Sequence, residues 1–140
     1  MNSTLNGLLD WPADVDAVVV APVFELKSLA AKLGSRTKGQ LVAEVHSIQS
    51  DNHVAHQLDL VLPSRKLRRR VLTATHGRED LYPVEIDAKC VEPMDEPDPD
   101  WHYPVAATYP EFQDLLKDVL NSDDVRSAIH SLKAQAELVD

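Results

Sequence analysis

The spacing of apolar positions changes twice along the chain. From Pro22 the sequence reads PVFELKSLAAKLG, with Leu26, Leu29, Ala30 and Leu33 at the i, i+3, i+4, i+7 spacing of one helix face. Pro22 suits the first turn, where its missing N–H costs nothing, and Gly34 suits the left-handed position just past a helix end. The pattern predicts a helix over 22–33. Between 41 and 89 the period shortens. Four apolar runs, LVAEVHSI (41–48), HQLDLVLP (56–63), RRRVLTAT (68–75) and LYPVEIDAK (81–89), are joined by short polar links. Links of hairpin length between such runs predict an antiparallel meander. Two runs alternate cleanly. Leu58, Leu60 and Leu62 oppose Gln57, Asp59 and Val61, while Tyr82, Val84, Ile86 and Ala88 oppose Pro83, Glu85, Asp87 and Lys89. Pro83 has no N–H for the ladder, which puts its run at a sheet edge or strand start.

After Cys90 the alternation stops. Residues 91–110, VEPMDEPDPDWHYPVAATYP, hold five prolines and a block of acids, so 91–108 reads as an extended loop, either linker or functional. Thr108 followed by Glu111 is a capping-box pattern, and Phe112, Leu115, Leu116, Val119 and Leu120 form a helical stripe behind it. Ser122-Asp123-Asp124 starts another helix, carrying Val125, Ala128, Ile129, Leu132 and Ala136. Residues 1–14 read as a leader that docks through Leu8, Leu9 and Trp11. Val15–Val20 reads either as a short buried strand or as an apolar lead-in to the first helix. The whole predicts an α+β fold in one domain, 1–140: an N-terminal helix, a four-stranded mainly antiparallel sheet, a proline-rich acidic loop, and two C-terminal helices packed on one sheet face.

Composition narrows the function classes. With 44% hydrophobic and 26% charged residues in 140, the chain has the make-up of an ordinary globule with one core. It contains no apolar run of membrane-spanning length, and its first residues lack the basic and apolar regions of a secretory signal, so the expected compartment is the cytoplasm. One cysteine, Cys90, makes no intramolecular disulfide and no zinc cluster. Against 14 Lys plus Arg stand 23 Asp plus Glu, a net charge of −9. That balance opposes nucleic acid and anionic membranes and favours a basic protein as partner, or no partner. Only four glycines are present, and no phosphate-cradling motif is among them, so no cofactor is implied.

Four constellations carry candidate chemistry. In Asp87-Ala88-Lys89 a carboxylate and a lysine two apart on a strand share one side of the sheet, the arrangement with which D-x-K nucleases hold a divalent metal beside a phosphate. Glu85 lies on the same face, and Asp59 offers a further carboxylate; a solvated strand with an edge lysine explains the same residues. Of six histidines only His53 and His56 are closely spaced, in a turn running into a strand, where exposed or capping roles are expected rather than metal ligation. Cys90, lone at a strand end, is expected as a small buried hydrophobe. The basic run Arg65-Lys66-Leu67-Arg68-Arg69-Arg70 faces, in charge, the acids Glu92, Asp95, Glu96, Asp98 and Asp100. The two either pin the loop to the sheet or each greet a partner of opposite sign.

The phrases LVAEVHS, LDLVLPSRKLRRRVLTATHG, DLYPVEI and EFQDLLKDVLNSDDVRSAIHSL resemble a group of small bacterial proteins with no assigned activity, over roughly 22–135. The resemblance implies a bacterial cytosolic origin and one domain, and it transfers no catalytic or binding residue.

Three functional expectations follow. The first is a non-enzymatic, acidic protein-binding module of the immunity-protein or inhibitor kind, with Asp95, Glu96, Asp98, Asp100, Arg68, Arg69 and Arg70 as its binding residues. The second is a metal-dependent nuclease or phosphodiesterase using Asp59, Glu85, Asp87 and Lys89. The third is a structural or oligomeric subunit, a homodimer built on the last two helices.

Overall fold

The computed structural model describes residues 9–13, 19–92 and 99–138. Its elements run α1 (Pro22–Arg36), β1 (Val42–Gln49), β2 (His53–Leu62), β3 (Leu67–Gly77), β4 (Val84–Asp87), β5 (Val105–Ala106), α2 (Tyr109–Leu120) and α3 (Asp123–Ala136). The five strands form one sheet in the order β1-β2-β3-β4-β5, and every pairing is antiparallel. The fold is α+β, as expected, with one strand more. Residues Val105–Ala106, inside the proline-rich segment, pair with Glu85 and Val84 and add the fifth strand. Two residues between prolines leave too short a run for alternation to register.

Helix α1 starts where Pro22 predicts but passes through Gly34 to Arg36. The left-handed turn comes later, at Lys38 (φ 54°) and Gly39 (φ 80°), and Gly39 N–H donates to Gly34 O at 2.8 Å. Thr37 fixes this turn: its hydroxyl accepts from Leu41 N–H at 3.2 Å and lies 3.0 Å from Leu33 O. The fourth strand likewise starts late, at Val84, after the cis Tyr82–Pro83 bond. Thr108 caps α2 as predicted, accepting from Glu111 N–H and bonding the Glu111 carboxylate at 3.1 Å, and Ser122 caps α3 through Val125 N–H. Val19 and Val20 are in no regular element, and residues 15–18 of the predicted segment lie outside the described residues. Of the predicted leader anchors, Leu9 and Trp11 are exposed and Leu8 lies outside the described residues.

The core lies between the sheet and the helices. Leu58, Leu60, Leu62, Leu72, Ala74, Val84 and Ile86 point to one face, where Leu26 of α1, Phe112 and Leu116 of α2, and Val125 and Leu132 of α3 meet them. Phe112 is fully buried and packs edge-to-face on Tyr82, ring centroids 6.2 Å apart, while the Tyr82 hydroxyl donates to Val20 O at 2.9 Å. The opposite face carries no helix among the described residues.

One irregularity decides what that open face presents. The β2–β3 register shifts between Leu58 and Asp59: Leu58 pairs with Leu72, but Asp59 pairs with Arg70. Val71 is the extra residue of a β-bulge. Val71 and Leu72 are therefore both buried, and the alternation of β3 inverts across them. Arg68 and Arg70 come to the open face beside Asp59, and Arg69 comes to the helix side, 3.7 Å from Asp124 of α3.

Candidate functional site

On the open face, Glu44 of β1 stands opposite Asp59 of β2, which stands opposite Arg70 of β3. Arg68 bridges the row, reaching Glu44 at 2.6 Å and Asp59 at 2.9 Å, and Arg70 Nε donates to the other Asp59 oxygen. Asp59 is 2% exposed although its strand face is open to water. Its guanidinium neighbours exclude solvent and satisfy it, which is what a buried carboxylate requires. The Glu44 carboxyl is held below its ordinary range by the Arg68 hydrogen bond, and the Arg68 guanidinium is held above its own by Glu44 and Asp59. His46 completes the cluster, 3.3 Å from Glu44 and 3.2 Å from Arg68.

This network separates the residues proposed for a D-x-K metal site. Asp59 is engaged by two arginines. Asp87 stands opposite Thr73, which in turn stands opposite Gln57, so Asp87 lies two strands from Asp59 and two residues along. Glu85 is exposed opposite Thr75 and Val105. Strand β4 ends at Asp87; Ala88 is buried, and Lys89 enters a 3-10 turn whose ammonium lies 3.9 Å from Asp124 on the helix side. Lys89 and Asp87 thus share no face. Asp87 instead neighbours Tyr103, whose hydroxyl donates to Glu92 at 3.2 Å; burial first, then Asp87 and Glu92, push that phenol up to about 12. Among the described residues no group of three His, Cys, Asp or Glu side chains is placed to hold a metal. Asp100 is exposed, whereas Asp95, Glu96 and Asp98 lie outside the described residues. Cys90, expected to be buried, is exposed in the 3-10 turn, because the strand that would have buried it ends three residues earlier.

The histidines divide. His46, His53, His102 and His130 are exposed, but His56 and His76 are 5% and 7% exposed on the helix-covered face. They sit diagonally across the β2–β3 ladder, with Nε2 atoms 2.9 Å apart and rings 5.0 Å apart. His76 Nδ1 donates to Gly77 O at 2.7 Å, and His56 Nδ1 is 2.6 Å from the Ser47 hydroxyl. With both rings neutral one tautomer set satisfies every bond: Ser47 O–H donates to His56, His56 Nε2–H donates to His76, and His76 Nδ1–H donates to the carbonyl. Burial, then His76 and Lys27, lower the His56 pKa to about 4. A Ser–His–His row suggests nucleophilic catalysis, but a catalytic base must be stabilised as imidazolium, and here burial and a second imidazole oppose that charge. His56 is held toward its neutral form. Only the register brings these two rings together, since they are 20 residues apart in sequence.

Between α1 and α3 lies a groove of about 620 Å³. Its floor is the sheet, through Ala43, Leu58, Leu60 and Val71. Leu29 and Leu33 wall it on the α1 side; Leu120, Val125 and Ile129 wall it on the other. The bulge contributes directly, because Val71 reaches the floor only where the alternation of β3 inverts. Lys32, Arg36 and Lys133 stand at its rim, and no carboxylate lines it among the described residues. A hydrogen bond from Gln40 Nε2 to Glu137 at 3.4 Å ties the end of α1 to the end of α3.

No family model matches the chain, and no curated protein or solved structure does so either. The groove, the ion network and the histidine row therefore rest on their own geometry. Of the three, only the groove has room for another molecule. The sequence analysis singled out none of its lining residues as a site, since each reads as ordinary helix-stripe or strand-core; Leu33 and Lys133 are brought to one cavity by tertiary packing alone.

Proposed function

We propose that the protein is a binding module without a catalytic role, and that its ligand occupies the groove between α1 and α3. The observation that carries this reading is the groove itself. Helices packed on a sheet ordinarily interlock at crystal-like density, whereas here Leu29, Leu33 and Ile129 are only partly buried and border an open groove over buried Leu58, Leu60 and Val71. Its volume of about 620 Å³ falls within the range of roughly 300–1,000 Å³ typical of ligand sites, and its apolar lining with a few polar groups matches their usual make-up. The test is a titration with the neutral dye Nile red, followed by fluorescence, beside the variant Ile129→Trp, which fills the groove. We expect dye binding by the native chain and its loss in the variant at unchanged helix content. Equal dye binding by both would refute the groove as the site.

A second reading is favoured by the net charge of −9 and by the exposed acids Glu111, Asp114 and Asp118 along α2. It takes a basic protein as partner, with the acidic side chains of Asp95, Glu96, Asp98 and Asp100 among the groups that attract it. Replacing these four by Asn and Gln should weaken capture of such a partner, and unchanged capture removes the loop from this role.

A further inference from the structure

We infer that the occupant of the groove is a free medium-chain fatty acid, an alkyl carboxylate whose chain lies on the sheet floor and whose head meets the cationic rim. The inference rests on the groove as ligand site and adds the chemical class.

Two observations point to this chemistry. The first is the charge of the rim against the charge of the chain. Acids outnumber bases by 23 to 14, yet the charged side chains that line the groove are Lys32, Arg36 and Lys133 and no acid, while Glu137 at the same helix ends bonds Gln40. None of the three makes an ion pair among the described residues; other exposed cations such as Lys27 and Arg126 make none either, but they do not line the groove. Three cations left unmatched around an apolar bed, in a chain rich in carboxylates, leave room for an anion brought from outside. The second observation is polarity along the groove. Lys32 and Arg36 lie one turn apart toward the end of α1, and Lys133 lies in the last turn of α3. The Gln40–Glu137 bond places those two helix ends together, so the cations gather toward one end while Leu29 and Leu120 line the other. Cations in last turns also offset helix dipoles. That accounts for Arg36 and Lys133 taken singly, but not for Lys32 or for all three bordering one apolar bed. An apolar trough with a cationic end matches a molecule with one apolar end and one anionic end. A carboxylate suits it by accepting charge-assisted hydrogen bonds from guanidinium and ammonium.

The experiment is displacement of Nile red by dodecanoate, decanoate and dodecylammonium, each below its micelle concentration, on the full chain and on the variants Arg36→Gln, Lys133→Gln and, away from the groove, Arg126→Gln. We expect dodecanoate to bind more tightly than dodecylammonium, and more tightly than decanoate by about fifteenfold, since each of its two extra buried methylenes contributes roughly fourfold. Arg36→Gln and Lys133→Gln should each weaken dodecanoate about fivefold or more, the loss of one hydrogen bond to a charged group, with Arg126→Gln unchanged. All are exposed surface changes, and circular dichroism checks that the fold is kept. Dodecylammonium binding as tightly as dodecanoate, or equal losses in all three variants, would overturn the fatty-acid assignment while leaving the groove as site. Absence of Nile red binding to the native chain would instead remove the groove reading beneath it.

Discussion

His56 and His76 meet Nε2 to Nε2 at 2.9 Å beneath the helices, one ring donating and the other accepting. A proton added to His56 goes on Nδ1, where the Ser47 hydroxyl must turn from donor to acceptor, and the charge it brings is buried beside a second imidazole. In the fold the His56 pKa is lowered to about 4, against about 6.5 in an unfolded chain. The unfolded state therefore takes up the proton first as pH falls, and the stabilisation present above pH 6.5 is lost progressively toward pH 4. We expect a loss on the order of 2 kcal/mol over that window, beyond the background from carboxylates, read as urea midpoints at pH 7, 5.5 and 4.5. His56→Gln should flatten this component. An unchanged pH slope in that variant would rule the histidine pair out as its source.

Asp59 provides a second prediction. Asp59→Asn keeps the shape but leaves Arg68 and Arg70 sharing a neutral amide; because both arginines are about half exposed, they turn partly to water and soften the loss. Destabilisation of about 2 kcal/mol is expected, below the cost of breaking a wholly buried pair. Glu44→Gln, at an exposed partner of Arg68, should cost far less. Thermal melts of both variants check the order, and a larger effect at Glu44 would contradict it.

The two helix caps should count independently. Thr108→Ala and Ser122→Ala each remove a side-chain acceptor from a first-turn N–H, at a cost of about 1 kcal/mol apiece. The sites open separate helices, so the double variant should approach the sum of the singles within a few tenths of a kcal/mol. Denaturant midpoints at constant m-value provide the measurement.

In the core, Phe112→Ala should be the most damaging of these single changes, by about 3–5 kcal/mol. Its ring is fully buried and is the contact through which α2 holds Tyr82 ahead of β4. Loss of near-ultraviolet dichroism from the tyrosines should accompany the drop in melting temperature.

A metal titration separates the D-x-K reading from the others. Mg2+, Mn2+ and Zn2+ should leave the melting temperature unchanged, because Asp59 is saturated by arginines and Lys89 turns to the helix side. A rise with Mg2+ that is lost in Asp87→Ala would restore the metal site.

Much of this protein was legible in its sequence because local chemistry decides it. The stripe from Leu26 to Leu33, the caps at Thr108 and Ser122, and the alternation of Leu58, Leu60 and Leu62 each depend on neighbours within one helical turn or one strand. They specify an α+β fold with a helix first and two helices last, whatever the rest of the chain does. The placement of Asp59 opposite the leucines was legible for the same reason. Its partners were not, since the bulge at Val71 inverts the faces of Arg68, Arg69 and Arg70, and a bulge is chosen by cross-strand pairing rather than by the residue itself. The same holds for His56 beside His76, for Lys89 reaching Asp124, and for the groove joining Leu33 and Lys133 across 100 residues. Sequence spacing carries the period of an element and which residues share a face. Which faces then meet depends on register and on how helices settle over a sheet, and those are decided only when the whole core packs.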